Sequence, residues 1–325
     1  MTPVCTLMVR TPADLIAVTP FLLGFHPADS LVVIGLAGRS IDFIGRHDLP
    51  PPGDHSIESA APLIARQGVR EVALIGYGAP GPARSAIDDF DAALGRVGVR
   101  VREALRVTGG RWFNVHCDDR DCCALDGHPV PSPHNPIAAA AVFQGHVALP
   151  NRQALVKQVA PVEGEERRQM AAATAALNLR LGEGVSRTLV GRAGRAAVRQ
   201  AERKHAAGQS LTYDETALLG ALLVGRTTFD YALHRISGEP WRVQQWTEVT
   251  RRVEAPFVPG PAALLGYAAW RAGLGPLARV AVDRALRQDP YHRFAGILDG
   301  LLAAGVGPGA VESFVPPVGG ERRAS

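Results

Sequence analysis

EVALIGYGAPGPARSAIDDFDAALGRVGVRVREALRV, residues 71–107, decides the architecture. Glu71–Ile75 is an apolar run of strand length, Pro82–Leu94 carries apolar residues at helical spacing, and Val99–Val107 is strand-like again. A strand, a helix and a strand in that order make a βαβ unit, with parallel strands and a right-handed crossover. Upstream, Ser30–Leu36 (SLVVIGL) and Ile41–Asp48 read as strands joined by a turn at Ala37-Gly38-Arg39, and Ser56–Gln67 reads as helical. That early hairpin makes the sheet mixed. Thr11-Pro12-Ala13-Asp14 is a helix start, with Thr11 as cap, Pro12 in the first turn and Asp14 at the positive helix end; Gly24 stops the helix after Leu23. Gly109-Gly110 turns the chain into an antiparallel strand at Arg111–His116. The fold class is therefore α/β, with an N-terminal mixed-sheet, Rossmann-like domain over residues 1–150.

From Asn135 the pattern changes. Asn135-Pro136 opens an Ala-rich helix that ends at Gly145. Helices are expected at 151–159, 163–182, 186–207, 213–224, 241–252, 261–272, 276–288 and 292–303, with a capping box at Thr212 and Glu215. Residues 151–305 read as an all-α domain, and the Gly/Pro-rich residues 306–325 as a flexible tail. Leu265-Gly266, Ala278, Ala285 and Pro290 fall at tetratricopeptide spacings, so a tetratricopeptide-like hairpin is expected to close the helical domain. One such hairpin is too few for a solenoid, whose repeats bury their cores by stacking.

Four stretches together carry a family resemblance: LLGFHPADSLVVIGL (22–36), RWFNVHCDDRDCC (111–123), PIAAAAVFQGHVALPNRQAL (136–155) and LLGYAAWRAGLGPLARVAVDRAL (264–286). The chain resembles the actinobacterial domain of unknown function 4192 family over most of residues 8–305. The resemblance implies an α/β N-terminal part and a helical C-terminal part, and it names no activity. In similar sequences Pro follows the double cysteine; here Ala124-Leu125 follows, and Asp126-Gly127 keeps the turn.

Composition narrows the function classes. The net charge is +4, and it is uneven: residues 1–150 hold 12 Arg against 15 Asp/Glu, and the remainder carries the basic excess. Lys157 and Lys204 are the only lysines. No G-x-x-x-x-G-K-[ST] loop occurs, which argues against a P-loop NTPase, and the scarcity of lysine argues against Schiff-base chemistry. No apolar run reaches the roughly 18 residues of a membrane span, and no charged segment precedes an apolar one at the N-terminus, so a cytoplasmic protein without a membrane partner is expected. Arg192, Arg195, Arg199 and Arg203 share one helical face, but no aromatic residue interleaves them and no nucleic-acid fold signature appears. A solvated face is the simpler reading, against nucleic-acid binding.

Chemistry concentrates in the Cys/His-rich loop at 116–134. Cys117, Cys122 and Cys123 with His128, His116 or His134 offer the donors a structural zinc wants. The C-x4-C-C spacing is not a zinc knuckle, so a redox pair and plain packing under the loop stand beside the zinc reading. Gly76-Tyr77-Gly78-Ala79-Pro80-Gly81 matches G-x-G-x-x-G between a strand and a helix, with Glu103 about twenty residues beyond. Gly76, Gly78 and Gly81 are therefore candidate ligand contacts, although Pro80 and Pro82 lack the amides that phosphate binding uses. His26, Asp29 and Ser30 sit together in GFHPADS (24–30). His26 joins the ligand candidates, while Asp29-Ser30 reads as a turn; no G-x-S-x-G elbow supports a catalytic triad.

Two functions are expected from these features. The first is a binding or scaffold protein, with an α/β ligand-sensing module and a helical module that meets a protein partner. The second is an enzyme acting on a small phosphorylated or nucleotide-like substrate at the sheet edge, with structural zinc in the cysteine loop. Neither a catalytic residue nor an oligomeric state can be read from the sequence.

Overall fold

The computed structural model describes residues 9–38, 40–51, 54, 56–117, 119, 125–132, 135–143, 146–181 and 187–310. The chain divides into two units, Met1–Leu155 and Val156–Ser325.

The first unit opens with α1 (Pro12–Leu23). Its capping box closes as expected: the Asp14 amide donates to Thr11 Oγ1 at 3.2 Å and the Thr11 amide to Asp14 Oδ2 at 3.0 Å. Gly24, at φ +76°, ends the helix in the left-handed conformation. The strands are β1 (Ser30–Ala37), β2 (Ser40–Asp48), β3 (Glu71–Tyr77), β4 (Arg100–Thr108), β5 (Arg111–Asn114) and β6 (His128–Pro129). Between them lie α2 (Ala61–Arg66), extended by a 3-10 turn at Ser56–Ala60, and α3 (Pro80–Arg96). Next come α4 (Pro136–Phe143) and α5 (Arg152–Gln158), the latter running across the division between the units.

The six strands form one mixed sheet in the order β2-β1-β3-β4-β5-β6. The expected βαβ unit is present, since β3 and β4 pair in parallel. The connection from β2 through α2 to β3 is a parallel crossover as well, but it passes over β1. β1 pairs antiparallel with both β2 and β3, so β2 and β3 run the same way but never touch. The reason lies in the composition of β1: seven of its eight residues are buried, and a strand apolar on both sides takes an interior position. One face of the sheet closes over a core in which Leu31, Val33 and Leu74 meet Ile64 of α2 and Ile87 and Phe90 of α3.

The second unit is helical throughout. It comprises α6 (Gly164–Leu181), α7 (Arg187–Ala206), α8 (Tyr213–Leu223), α9 (Arg226–Leu233), α10 (Pro240–Arg252), α11 (Pro259–Arg271), α12 (Gly275–Gln288) and α13 (Arg293–Ala303). The capping box at Thr212 and Glu215 forms at the start of α8. α9 is absent from the sequence expectation. Its Thr227, Thr228 and Asp230 are poor helix formers, and the burial of Thr228, Phe229, Ala232 and Leu233 holds it instead.

α11 and α12 pack closely because of Gly266. A Cβ there would stand 2.8 Å from Val282 Cγ2 and 3.4 Å from the Ala278 carbonyl. Gly266→Leu is therefore expected to cost about 1–3 kcal/mol through overpacking. Gly296 on α13 faces open space, and Gly296→Ala is expected to add up to about 1 kcal/mol from helix propensity. Urea unfolding of the two variants followed by circular dichroism checks the opposite signs.

Candidate functional site

Register partners in a sheet share a face. Asp48, Ser30, Tyr77, Val107, Trp112 and His128 are successive partners across the six strands and form a row at one edge. β2, β3 and β4 all end here. This is the edge at which open α/β sheets bind ligands, because their loops converge beyond the carboxyl ends of the strands.

The loop entering β1 supplies the least ordinary residue. Asp29 has φ +43°, a left-handed conformation that costs a non-glycine residue about 1–2 kcal/mol. Its carbonyl accepts the Leu49 amide at 3.0 Å, which ties it to the end of β2. Its Oδ1 stands 2.9 Å from where a Cβ on Gly78 would be. Among the described residues the exposed carboxylate takes no hydrogen bond and no ion pair. Its neighbour Asp48 differs, because Arg46 Nη2 donates to Asp48 Oδ1 at 2.5 Å. The edge thus holds one neutralised carboxylate and one uncompensated one.

The other sequence candidates fall around it. His26 is exposed in the same loop, and its amide donates to the Leu149 carbonyl at 2.9 Å. Ser30 is buried and its Oγ donates to the Ala28 carbonyl at 3.0 Å, so the hydroxyl is committed to its own turn. Within the Gly-rich turn, the three glycines do different things. Gly76 makes room for α3, where a Cβ would lie 3.0 Å from the Ala83 carbonyl. Gly78, at φ +133°, lets Asp29 approach and spends its amide on the Val107 carbonyl at 3.2 Å. Gly81 faces open space. α3 begins at Pro80 and has Pro82 in its first turn, so two amides that would cradle a phosphate are missing. Glu103 pairs with Ala73, four residues inward from the Tyr77–Val107 edge, so it is set back by roughly 13 Å at strand rise.

Beneath the edge, Tyr77 is buried with its hydroxyl beside Thr19 of α1, and burial pushes the phenol above its ordinary value. At the far end of the row Trp112 stacks on His128 with ring centres 4.5 Å apart.

The cysteine stretch is described only in part. Cys122, Cys123 and His134 lie outside the described residues. Cys117 is half-buried after β5, and His116 Nε2 is 3.3 Å from Asp91 Oδ2 on α3. Among the described residues no group of three His, Cys, Asp or Glu is placed to hold a metal ion. The left-handed backbone of Asp29 is a feature that the sequence reading of Asp29-Ser30 as a turn did not specify. The available signal was that Asp tolerates a left-handed backbone in a turn.

A mixed α/β unit and a helical unit are what the motifs at 22–36, 111–123, 136–155 and 264–286 imply. A family model described as Domain of unknown function (DUF4192) matches residues 12–309. The chain belongs to the DUF4192 family. No curated protein and no solved structure matches it.

The helical unit of this DUF4192 chain has its own concave feature, a cleft of about 570 Å³ lined by Gln158, Glu166, Thr247, Glu248, Arg251 and Arg252 among others. Arg252 Nε donates to Glu166 at 2.7 Å, and Arg252 also pairs with Glu248. Glu248 further accepts Ser210 Oγ at 2.8 Å and the Leu211 amide at 3.2 Å, with His205 Nε2 3.3 Å away. Burial alone would push the Glu248 carboxyl up, but the hydrogen bonds from His205 and Ser210 and the charge of Arg252 hold it below the usual range. No described helix is long and apolar enough to cross a membrane.

A depressed carboxyl adds stability above its unfolded value, and that stability is lost as pH falls through the folded value. The Glu248 contribution is therefore present at pH 7 and fades below the ordinary value of 4.5. Glu248→Gln is expected to cost about 2–3 kcal/mol at pH 7 and to flatten the loss of stability toward acid. Urea unfolding followed by tryptophan fluorescence at pH 7 and pH 4 checks this, since Trp241, Trp246 and Trp270 all lie in the helical unit.

Proposed function

We propose that the chain is a binding protein whose α/β unit holds a small ligand at the carboxyl edge of the sheet. Asp29 carries this reading. A residue kept in a costly backbone conformation, with an unpaired carboxylate at a ligand-binding edge, fits a contact retained for a ligand. The chemistry that suits it is a positive charge or a cluster of hydrogen-bond donors, such as an amine, a guanidine or a polyol. His26 adds a second exposed polar group in the same loop, and the Trp112–His128 stack adds a flat apolar surface at the end of the row. The helical unit supplies the surface for a protein partner. Tyr291 at 94%, Leu179 at 86% and Val224 at 71% exposure are apolar side chains there suited to such a contact.

The enzymatic alternative, a phosphorylated or nucleotide-like substrate at the same edge, meets two obstacles. A phosphate would face the uncompensated Asp29 carboxylate, and it would find Pro80 and Pro82 where amides are needed.

A thermal-shift screen of the full chain compares small amines, guanidines and polyols with phosphorylated compounds. The expected result is a donor-bearing compound that raises the melting temperature of the wild type and loses its effect in Asp29→Asn. That variant keeps the side-chain shape and the left-handed backbone while removing the charge. No response from any donor-bearing compound, or a response that Asp29→Asn leaves intact, overturns the reading. Preferential stabilisation by phosphorylated compounds that depends on Asp29 would favour the enzymatic alternative.

A further inference from the structure

The helical unit pairs its buried charges with care. Glu202 on α7 is buried and takes Arg242 Nη1 at 2.7 Å and Arg235 Nη2 at 2.6 Å. Arg252 is matched by Glu166 and Glu248. Arg284 on α12 breaks this rule. It is only 9% exposed, and among the described residues its buried Nη1 has no hydrogen-bond partner. The charges that act on it are Arg287 and Arg251, both of its own sign. Burial first, and then those two guanidiniums, push Arg284 down to about 10. A buried cation without a counter-charge is costly, and proteins that keep one generally have something to pair it with.

The place of Arg284 in the fold indicates what that is. Arg251 lines the 570 Å³ cleft, as does Leu277 of α12. Leu277 and Arg284 are seven residues apart, close to two full helical turns, so they lie on the same face of α12. Gln158, Gln244 and Thr247 give the cleft wall further uncharged polar groups. The two carboxylates in the wall, Glu166 and Glu248, are already occupied by Arg252.

We propose that Arg251, Arg284 and Arg287 form a binding site for a small phosphate-class oxyanion, free or as the phosphate group of a small organic molecule. Guanidiniums offer planar, paired donors that match phosphate oxygens, and buried Arg284 gains most from the missing counter-charge. Of the three arginines, Arg251 lines the cleft, and the burial of Arg284 disfavours a folded partner, which could not reach it. This site is built from residues of the helical unit alone and does not depend on the reading of Asp29.

The test is calorimetric titration of the full chain in a zwitterionic buffer at constant ionic strength, with inorganic phosphate in one arm and ribose 5-phosphate in the other. Saturable binding in at least one arm is expected, weakened about tenfold or more in Arg284→Gln and in Arg251→Gln and unchanged in Asp29→Asn. Tighter binding of ribose 5-phosphate identifies an organic phosphate as the ligand, and equal binding identifies the free anion. Arg284→Met is expected to melt no lower than the wild type in anion-free buffer, because it removes an unpaired buried charge. Half-buried Arg251 provides the readout if Arg284 variants fold poorly. No saturable binding in either arm, or binding that neither arginine variant weakens, overturns the proposal.

Discussion

The α/β unit depends on the burial of β1. Leu31, Val32, Val33 and Ile34 are each at most 1% exposed, although their side chains point alternately to opposite faces of the sheet. Each such side chain gains roughly 1.5–3 kcal/mol on burial. That sum forces β1 into the interior, between β2 and β3, and requires cover on both faces. Because β1 runs against its two neighbours, its start lies at the edge where β2, β3 and β4 finish. Asp29 immediately precedes this strand. The roughly 1–2 kcal/mol its left-handed backbone costs is small beside what the four residues after it gain. The buried strand thus holds a strained loop in place, and the loop presents an unpaired carboxylate where ligands of α/β sheets bind.

The helical unit shows the same logic in charge rather than backbone. Glu202 and Glu248 are each surrounded by cationic or hydrogen-bonding partners, as burial requires. Against that background Arg284 stands out, as Asp29 does at the sheet edge. One unit leaves an anion uncompensated and the other a cation. The two proposed sites would therefore select ligands of opposite character.

Much of this fold was legible in the sequence because its elements carry strong local signals. The capping boxes at Thr11 and Thr212 mark α1 and α8, and the apolar run at 71–75 marks β3. α9 was not legible, since Thr227 and Thr228 oppose a helix and only tertiary burial stabilises it. The pairing of β1 with β3 was hidden for a different reason: periodicity says which side of a strand is buried, not which neighbour it meets. The G-x-G-x-x-G match falls where β3 gives way to α3, at the carboxyl edge of the sheet. Gly76 serves helix packing and Gly78 admits a carboxylate where the motif would admit a phosphate. Arg284 could not have been singled out, because an arginine in an amphipathic helix looks solvated until its neighbours are known.

We propose that Asp29 is kept for a ligand and not for the turn it occupies. Equilibrium urea unfolding of ligand-free Asp29→Gly tests it most directly. Glycine removes the left-handed strain but makes the unfolded chain more flexible, so the account predicts a stability equal to the wild type or up to about 1 kcal/mol higher. A loss of more than about 1 kcal/mol would show that the carboxylate itself holds the turn against Gly78, and would contradict the account.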